Sequence, residues 1–160
     1  MINISLKNGD KIEVEKGLKV IDVAEKLSTS LKKKALGAKL DGEVVELYHP
    51  INGDCKLEIL TFEDEDGKKI LRHTVSHILA QAIKRLYPDV KLAIGPAIDS
   101  GFYYDVDADF SFTPELLVKI ENEMNKIVKE DIKLERFELP RAEAIKFMED
   151  RKEPYKVELI

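Results

Sequence analysis

The stretch that decides the fold is Leu71-Arg72-His73-Thr74-Val75-Ser76-His77-Ile78-Leu79-Ala80-Gln81. It lies within a longer run, from Asp66 to Tyr87, whose spacing predicts one amphipathic helix. At roughly 100° per residue, the apolar side chains of this run share one stripe: Leu71, Val75, Ile78, Leu79, Ala82 and Leu86. His73 and His77 are one helical turn apart and almost opposite the stripe, so their imidazoles lie one above the other.

The histidine pair is the first candidate site. Two imidazoles on one helical turn can supply half of a metal site, or a general base with its orienting partner. A zinc peptidase helix needs Glu directly after the first His, and Thr74 stands there instead. The other ligand types, at His49 and Cys55, belong to a different region. We therefore predict no metal site, and the alternative interpretation of the pair is a polar face exposed to solvent.

Composition limits the class of protein. A chain of 160 residues with 44% hydrophobic and 36% charged side chains is typical of one large or two small globular domains. The net charge of -5 argues against nucleic-acid binding by bulk electrostatic attraction. A single cysteine, Cys55, rules out a disulfide framework. With no signal peptide and no apolar run of membrane-spanning length, we expect a cytoplasmic protein that does not bind membranes.

Residues 1–62 predict a small binding domain. Alternating apolar residues and the turn at Asn8-Gly9 indicate a hairpin, and Val20 to Leu27 has helical spacing. Three more strands are predicted, at Ala38–Leu40, Val44–Leu47 and Lys56–Thr61. The order ββαβ with a last strand is the β-grasp, ubiquitin-like arrangement, in which one helix covers one face of a mixed sheet. Nothing in this region has catalytic spacing.

The acidic run Glu63 to Gly67 marks the predicted boundary, and residues 63–160 predict a second α+β domain. Thr113 and Pro114 supply a helix N-cap and a first-turn proline. We predict strands at Val90–Ile94, Gly101–Val106, Leu134–Leu139 and Tyr155–Ile160, and a short helix from Pro140 to about Glu149. Because the chain stops inside a predicted apolar strand, we expect this domain to be cut short.

Three sequence segments carry a resemblance to a known family: Arg72-His73-Thr74-Val75-Ser76-His77, Ala93-Ile94-Gly95-Pro96 and Gly101-Phe102-Tyr103-Tyr104-Asp105. Together they resemble the amino-terminal region of bacterial threonyl-tRNA synthetases. The resemblance implies a TGS domain of β-grasp fold over residues 1–62. It also implies that residues 63–160 are the first part of an α+β editing domain, which in this family hydrolyses seryl-tRNA made in error.

The resemblance also implies site residues. His73 and His77 match catalytic positions, with His73 as the group that activates water or orients the substrate. Lys156 matches a position near the scissile ester, and Tyr104 matches a wall of the pocket that binds substrate. The family completes this pocket with a downstream Cys-x-x-x-His motif. That motif does not occur within residues 1–160. We therefore expect an incomplete editing site, without cofactor, that is inactive on its own.

For the longer protein, the resemblance implies a class II ligase that attaches threonine to its tRNA using ATP. Its core would need Mg and Zn and would form a homodimer. Two other interpretations stay open. One is a free-standing TGS-type binding module with a degenerate second domain. The other is a metal-dependent hydrolase related to the alanyl-tRNA editing proteins, and the length of the parent reading frame would separate these from the ligase.

Overall fold

The computed structural model describes all residues 1–160, which divide into two compact units, Met1–Leu71 and Arg72–Ile160. The division falls inside a long helix, Glu65–Leu86, that covers the predicted run almost residue for residue. The domain boundary placed between residues 62 and 63 therefore stays a prediction. No helix is both long and apolar enough to cross a membrane.

The first unit is a five-stranded mixed sheet with two helices, which confirms the predicted β-grasp fold. Its elements are β1 Ile2–Leu6, β2 Lys11–Val14, α1 Val20–Leu27, α2 Thr29–Lys34, β3 Gly37–Leu40, β4 Glu43–Val45 and β5 Cys55–Leu60. The strand order is β2-β1-β5-β3-β4, with β1 parallel to β5 and the other pairs antiparallel. The sequence did not predict α2, although Ser28 caps it by accepting hydrogen bonds from the backbone of Ser30 and Leu31.

The core of the first unit follows from the two periodicities in its sequence. Alternate residues of β1 point inward, so Ile2 and Ile4 are buried while Asn3 is exposed. Helix α1 buries one face against them through Val20 and Val23. The remaining buried side chains of this core come from the other strands and the loop before β5: Val14, Ala38, Ile51 and Leu57.

The second unit holds short strands between helices. After the helix Glu65–Leu86, here α3, come β6 Lys91–Leu92, β7 Ala97–Ile98, β8 Gly101–Phe102, β9 Val106–Asp107, α4 Pro114–Glu130, α5 Arg141–Asp150 and α6 Pro154–Leu159. β6 pairs with β9 and β7 with β8, both antiparallel. Thr113 caps α4 as predicted. The apolar core of this unit is formed by side chains of α3 and α4 and by Val90 in the loop after α3. The helix residues are Ala82, Ile83, Ile120 and Ile127.

Two predicted strands are wrong. Residues 134–139 have no regular structure and all are exposed, because no strand of this chain pairs with them. The final segment, predicted as a strand from Tyr155 to Ile160, is instead helix α6. Pro154 takes its first position, and the backbone N–H of Lys156 donates to the Glu153 carbonyl at 3.0 Å. A helix forms its backbone hydrogen bonds within its own segment, whereas a strand needs a neighbouring strand to form them.

Two other predicted strands are shorter than expected. The segments Val90–Ile94 and Gly101–Val106 keep only two-residue strands. Their pairing continues through irregular backbone, since Ala93 N–H donates to Asp105 O at 2.9 Å and Asp105 N–H donates to Ile94 O at 2.8 Å. The loop after β6 and the loop after β8, which both line the candidate site, therefore run side by side.

Candidate functional site

One pocket of about 340 Å³ in the second unit gathers the residues that the sequence singled out. Its lining comes from α3, the loop after β6, the loop after β8 and helix α6: His73, His77, Ile94, Gly95, Pro96, Tyr104 and Lys156. This volume lies near the lower end of the range for small-molecule sites. Both imidazoles face this pocket and not the apolar core, as the helical spacing predicted. The roles given to these residues stay predictions.

The two histidines interact directly. Their Nε2 atoms are 3.0 Å apart, and the ring planes are nearly perpendicular, at 87°. In a neutral pair one Nε2 donates its hydrogen and the other accepts it. The donating ring then keeps an unprotonated Nδ1, and the accepting ring keeps an N–H at Nδ1. The pair can therefore both accept and donate a proton.

The protonation of His77 is biased by its surroundings. Partial burial of the imidazole lowers its pKa below the usual value, and His73 and the Lys156 ammonium lower it further. Burial acts by penalising the charged form, and the two neighbours act by repelling a second positive charge. His77 is therefore neutral at pH 7 and can accept a proton.

Lys156 is held inside the pocket by two acceptors. Its ammonium donates to the Ala93 carbonyl at 2.5 Å and to the Tyr104 hydroxyl at 3.1 Å. It also lies 5.5 Å from the centre of the Tyr104 ring. The sequence pattern alone predicts an exposed lysine on a strand. In the structure Lys156 is partly buried and lies on a helix. Because an ammonium has three N–H groups, one is left for a ligand.

Ser76 and Gly95 position the residues that line the pocket next to α3, and neither was predicted to have a role from the sequence. The Ser76 side chain is fully buried, with its hydroxyl 2.7 Å from the His73 carbonyl and 3.1 Å from the Gly95 carbonyl. A Cβ on Gly95 would overlap the ring of Tyr104. The serine therefore joins α3 to the loop between β6 and β7, and the glycine allows the tyrosine ring to lie against the backbone of that loop. The feature of the sequence that could have revealed Ser76 is its position between the two histidines.

Arg72 joins α3 to a second place in the same segment, the turn between β7 and β8. Its guanidinium donates to the carbonyls of Ile98 and Asp99, at 3.2 Å and 2.5 Å, in the turn between β7 and β8. Nowhere in the chain do three or more His, Cys, Asp or Glu side chains form a group that could hold a metal ion. Cys55 and His49 lie in the first unit, outside the pocket.

The chain was compared with known protein families and with curated proteins. The TGS domain family matches residues 2–61. Threonine–tRNA ligase of Clostridium kluyveri is 82% identical over all 160 residues of this chain, which cover 25% of the relative. The ligases of Clostridium tetani and Clostridium acetobutylicum are 68% and 66% identical over the same 160 residues, again 25% of each relative. The chain thus spans about a quarter of the length of these relatives, and the comparisons confirm the resemblance drawn from its motifs.

Proposed function

We propose that this chain, which matches the amino-terminal region of threonyl-tRNA synthetases over its whole length, contributes a hydrolytic proofreading site to a ligase that attaches threonine to tRNA. The observation that carries the proposal is the convergence of His73, His77, Lys156 and Tyr104 on one pocket. The first unit would serve as the TGS binding module of the same protein.

A threonine ligase has a physical need for such a site. Serine is threonine without one methyl group, and one methylene in a pocket discriminates by only about 1–3 kcal/mol. Misplaced serine must therefore be removed after attachment. Removal is the attack of water on the ester between serine and the terminal ribose of the tRNA.

The pocket supplies groups suited to ester hydrolysis. His73 can take a proton from the attacking water, the role that the family resemblance gives it, and the His77 ring, which is neutral at pH 7, can orient it. The unoccupied N–H of Lys156 can donate to the oxyanion that develops at the ester carbonyl, or to the ribose. Tyr104 forms the wall, and its hydroxyl accepts from the same ammonium.

Several features of the proposal concern the longer protein. They are ATP with Mg as substrate for threonine attachment, a zinc ion in the catalytic core, tRNA as partner, a homodimer formed through that core, and cytoplasmic location. The residues of this chain do not fit a zinc site, because no three ligand side chains come together. No step proposed above uses a metal.

Deacylation of seryl-tRNA specific for threonine tests the proposal. The full-length ligase carrying this sequence should hydrolyse the ester, and His73→Ala should slow it by about 10²–10⁴-fold, the usual contribution of a general base. His49→Ala, which removes the one histidine outside the pocket, is the matched control and should leave the rate unchanged. Chain 1–160 alone should stay at background. Equal rates for His73→Ala and wild type would refute the proposed site.

A further inference from the structure

Glu153 is a buried carboxylate that the proposed chemistry does not use. It is 8% exposed and stands one helical turn before Lys156. Its Oε1 lies 2.7 Å from the ammonium of Lys84, and its Oε2 accepts a hydrogen bond from the backbone N–H of Leu92 at 3.3 Å. A buried carboxylate is costly unless its oxygens find such partners.

Lys84 has no donor to spare. Besides Glu153, its ammonium donates to the carbonyls of Pro88 and Val90, both at 2.9 Å. Three acceptors match the three N–H groups of an ammonium. The lysine is thereby fixed at the end of α3, and the position of the Glu153 carboxylate is fixed with it.

Helix α6 depends on such anchors, because it has only six residues and a helix this short is not stable by itself. Glu153 starts it: the Glu153 carbonyl accepts from Lys156 N–H at 3.0 Å and from Val157 N–H at 3.2 Å. Its side chain holds Leu92, and the ammonium of Lys156 holds the next residue, Ala93. These attachments to two adjacent residues, at the end of β6 and just after it, define how far Lys156 enters the pocket.

We propose that Lys84 and Glu153 are positioning residues that set the ammonium of Lys156 at the reacting ester. The catalytic part of this inference rests on the proposed function, and the structural part does not. Lys84 extends from the same helix as the histidine pair. The ion pair therefore fixes helix α6, and Lys156 with it, relative to the histidines. Removing one partner leaves the other charge at least partly buried and without its counter-ion, which favours release of α6.

The chain offers a matched control on the same helix. The Tyr155 hydroxyl donates to Asp107 Oδ2 at 3.0 Å, in a hydrogen bond exposed to solvent. Tyr155→Phe removes this attachment of α6 while leaving the ion pair in place. If any loosening of α6 sufficed to impair the site, both substitutions would have the same effect.

The functional arm uses full-length ligase and compares Glu153→Gln with Tyr155→Phe in seryl-tRNA deacylation. Glu153→Gln should lower kcat by about tenfold or more and leave KM within about threefold, since misplacement affects the reacting groups more than tRNA binding. Tyr155→Phe should keep both constants within about twofold, as expected for an exposed hydrogen bond. Glu153→Asp retains the charge and should lose less of kcat than Glu153→Gln.

The structural arm does not depend on activity. Chain 1–160 is treated with an amine-acylating reagent, and modification of Lys156 is followed by peptide mass spectrometry relative to exposed Lys152. Glu153→Gln should raise the relative reactivity of Lys156 by about threefold or more, because an ammonium freed from its acceptors is more accessible. Tyr155→Phe should match the wild type.

The two arms separate the possible failures. If the wild-type ligase does not hydrolyse seryl-tRNA, the proposed function is wrong and Lys156 reactivity alone decides the inference. If Glu153→Gln keeps both the kcat and the Lys156 reactivity of the wild type, the positioning role is wrong. Should Glu153→Gln fail to fold, Lys84→Gln, which removes the other partner of the ion pair, decides in its place, and wild-type values of kcat and Lys156 reactivity for that variant would overturn the inference.

Discussion

The two units of this chain use their apolar residues differently. In the first, side chains such as Ile4, Val20 and Val23 are completely buried under a continuous five-stranded sheet. In the second, strands of two residues replace the sheet, and several apolar side chains face solvent, among them Leu134 at 86% exposed and Phe137 at 64%. The first unit is therefore stabilised mainly by its core, whereas individual polar contacts fix the details of the second.

The difference explains where the candidate site lies. A pocket needs side chains that face a cavity, and individual polar contacts hold this one, among them Ser76 to the loop at Gly95, Arg72 to the turn at Ile98, and Glu153 to Lys84. Substitutions in the first unit should therefore change stability, while substitutions around the pocket should change geometry.

Leu57→Ala should cause the largest loss of stability. Leu57 is 1% exposed on β5, the strand between β1 and β3, so its removal leaves a cavity that the sheet cannot fill. We expect the free energy of unfolding of the first unit to fall by about 2–5 kcal/mol. Urea unfolding followed by amide signals of β1 and β5 measures it. Val44→Ala, at a side chain 47% exposed on edge strand β4, is the control; a similar loss in both variants would contradict a core-dominated first unit.

Gly95→Ala should have the next largest effect, and in the second unit. Its new Cβ would overlap the Tyr104 ring, which must move away from the pocket wall. Overpacking of this kind costs about 1–3 kcal/mol. Thermal unfolding gives the cost, and the ring signals of Tyr104 report the movement.

Gly101→Ala is the paired control for that change, because a Cβ there meets nothing within 4 Å. It should leave both the unfolding temperature and the Tyr104 signals close to those of the wild type. Undisturbed Tyr104 signals in Gly95→Ala would mean that the ring does not lie against the backbone at residue 95.

The sequence predicted the elements that have a strong local signal. Alternation around Asn8-Gly9 located the first hairpin, and Thr113 with Pro114 located the start of α4. Strand predictions failed where pairing was required: residues 134–139 alternate but have no partner strand. Alternation shows which faces a strand would have, and it does not show that a partner exists.

The candidate site was predictable to a similar extent. His73 and His77 could be placed together from helical spacing alone, since residues four apart share a face. Lys156 and Tyr104 entered only through the family resemblance, because their contact joins distant parts of the chain. Glu153 was missed because nothing local marks a buried carboxylate whose partners lie far along the chain. Ser76 was missed although it lies between the two histidines, because its contact with Gly95 joins separate segments.

Acidification should weaken the second unit by less than Gly95→Ala does. The pKa of His77 is lower in the folded chain than the value of about 6.5 expected when it is unfolded. Between these two values the unfolded state binds more protons, so stability falls as the pH drops from 7 through this window. Urea unfolding at pH 7 and pH 5 measures the change, and an NMR titration assigns it. His77→Gln should lose this part of the dependence; a folded-state pKa above 6.5 would contradict the described surroundings.

Leu134→Ser should have the smallest effect of all. Both Leu57 and Leu134 are leucines in apolar, alternating segments, but Leu134 is 86% exposed and its segment has no regular structure. Since little apolar surface leaves water when this residue folds, replacing it should change the free energy of unfolding by no more than about 0.5 kcal/mol. Urea unfolding of chain 1–160, compared side by side with Leu57→Ala, measures both. A loss above about 1 kcal/mol would mean that residues 131–139 bury apolar surface in solution. The contrast between the two units would then be much weaker than their exposed side chains indicate.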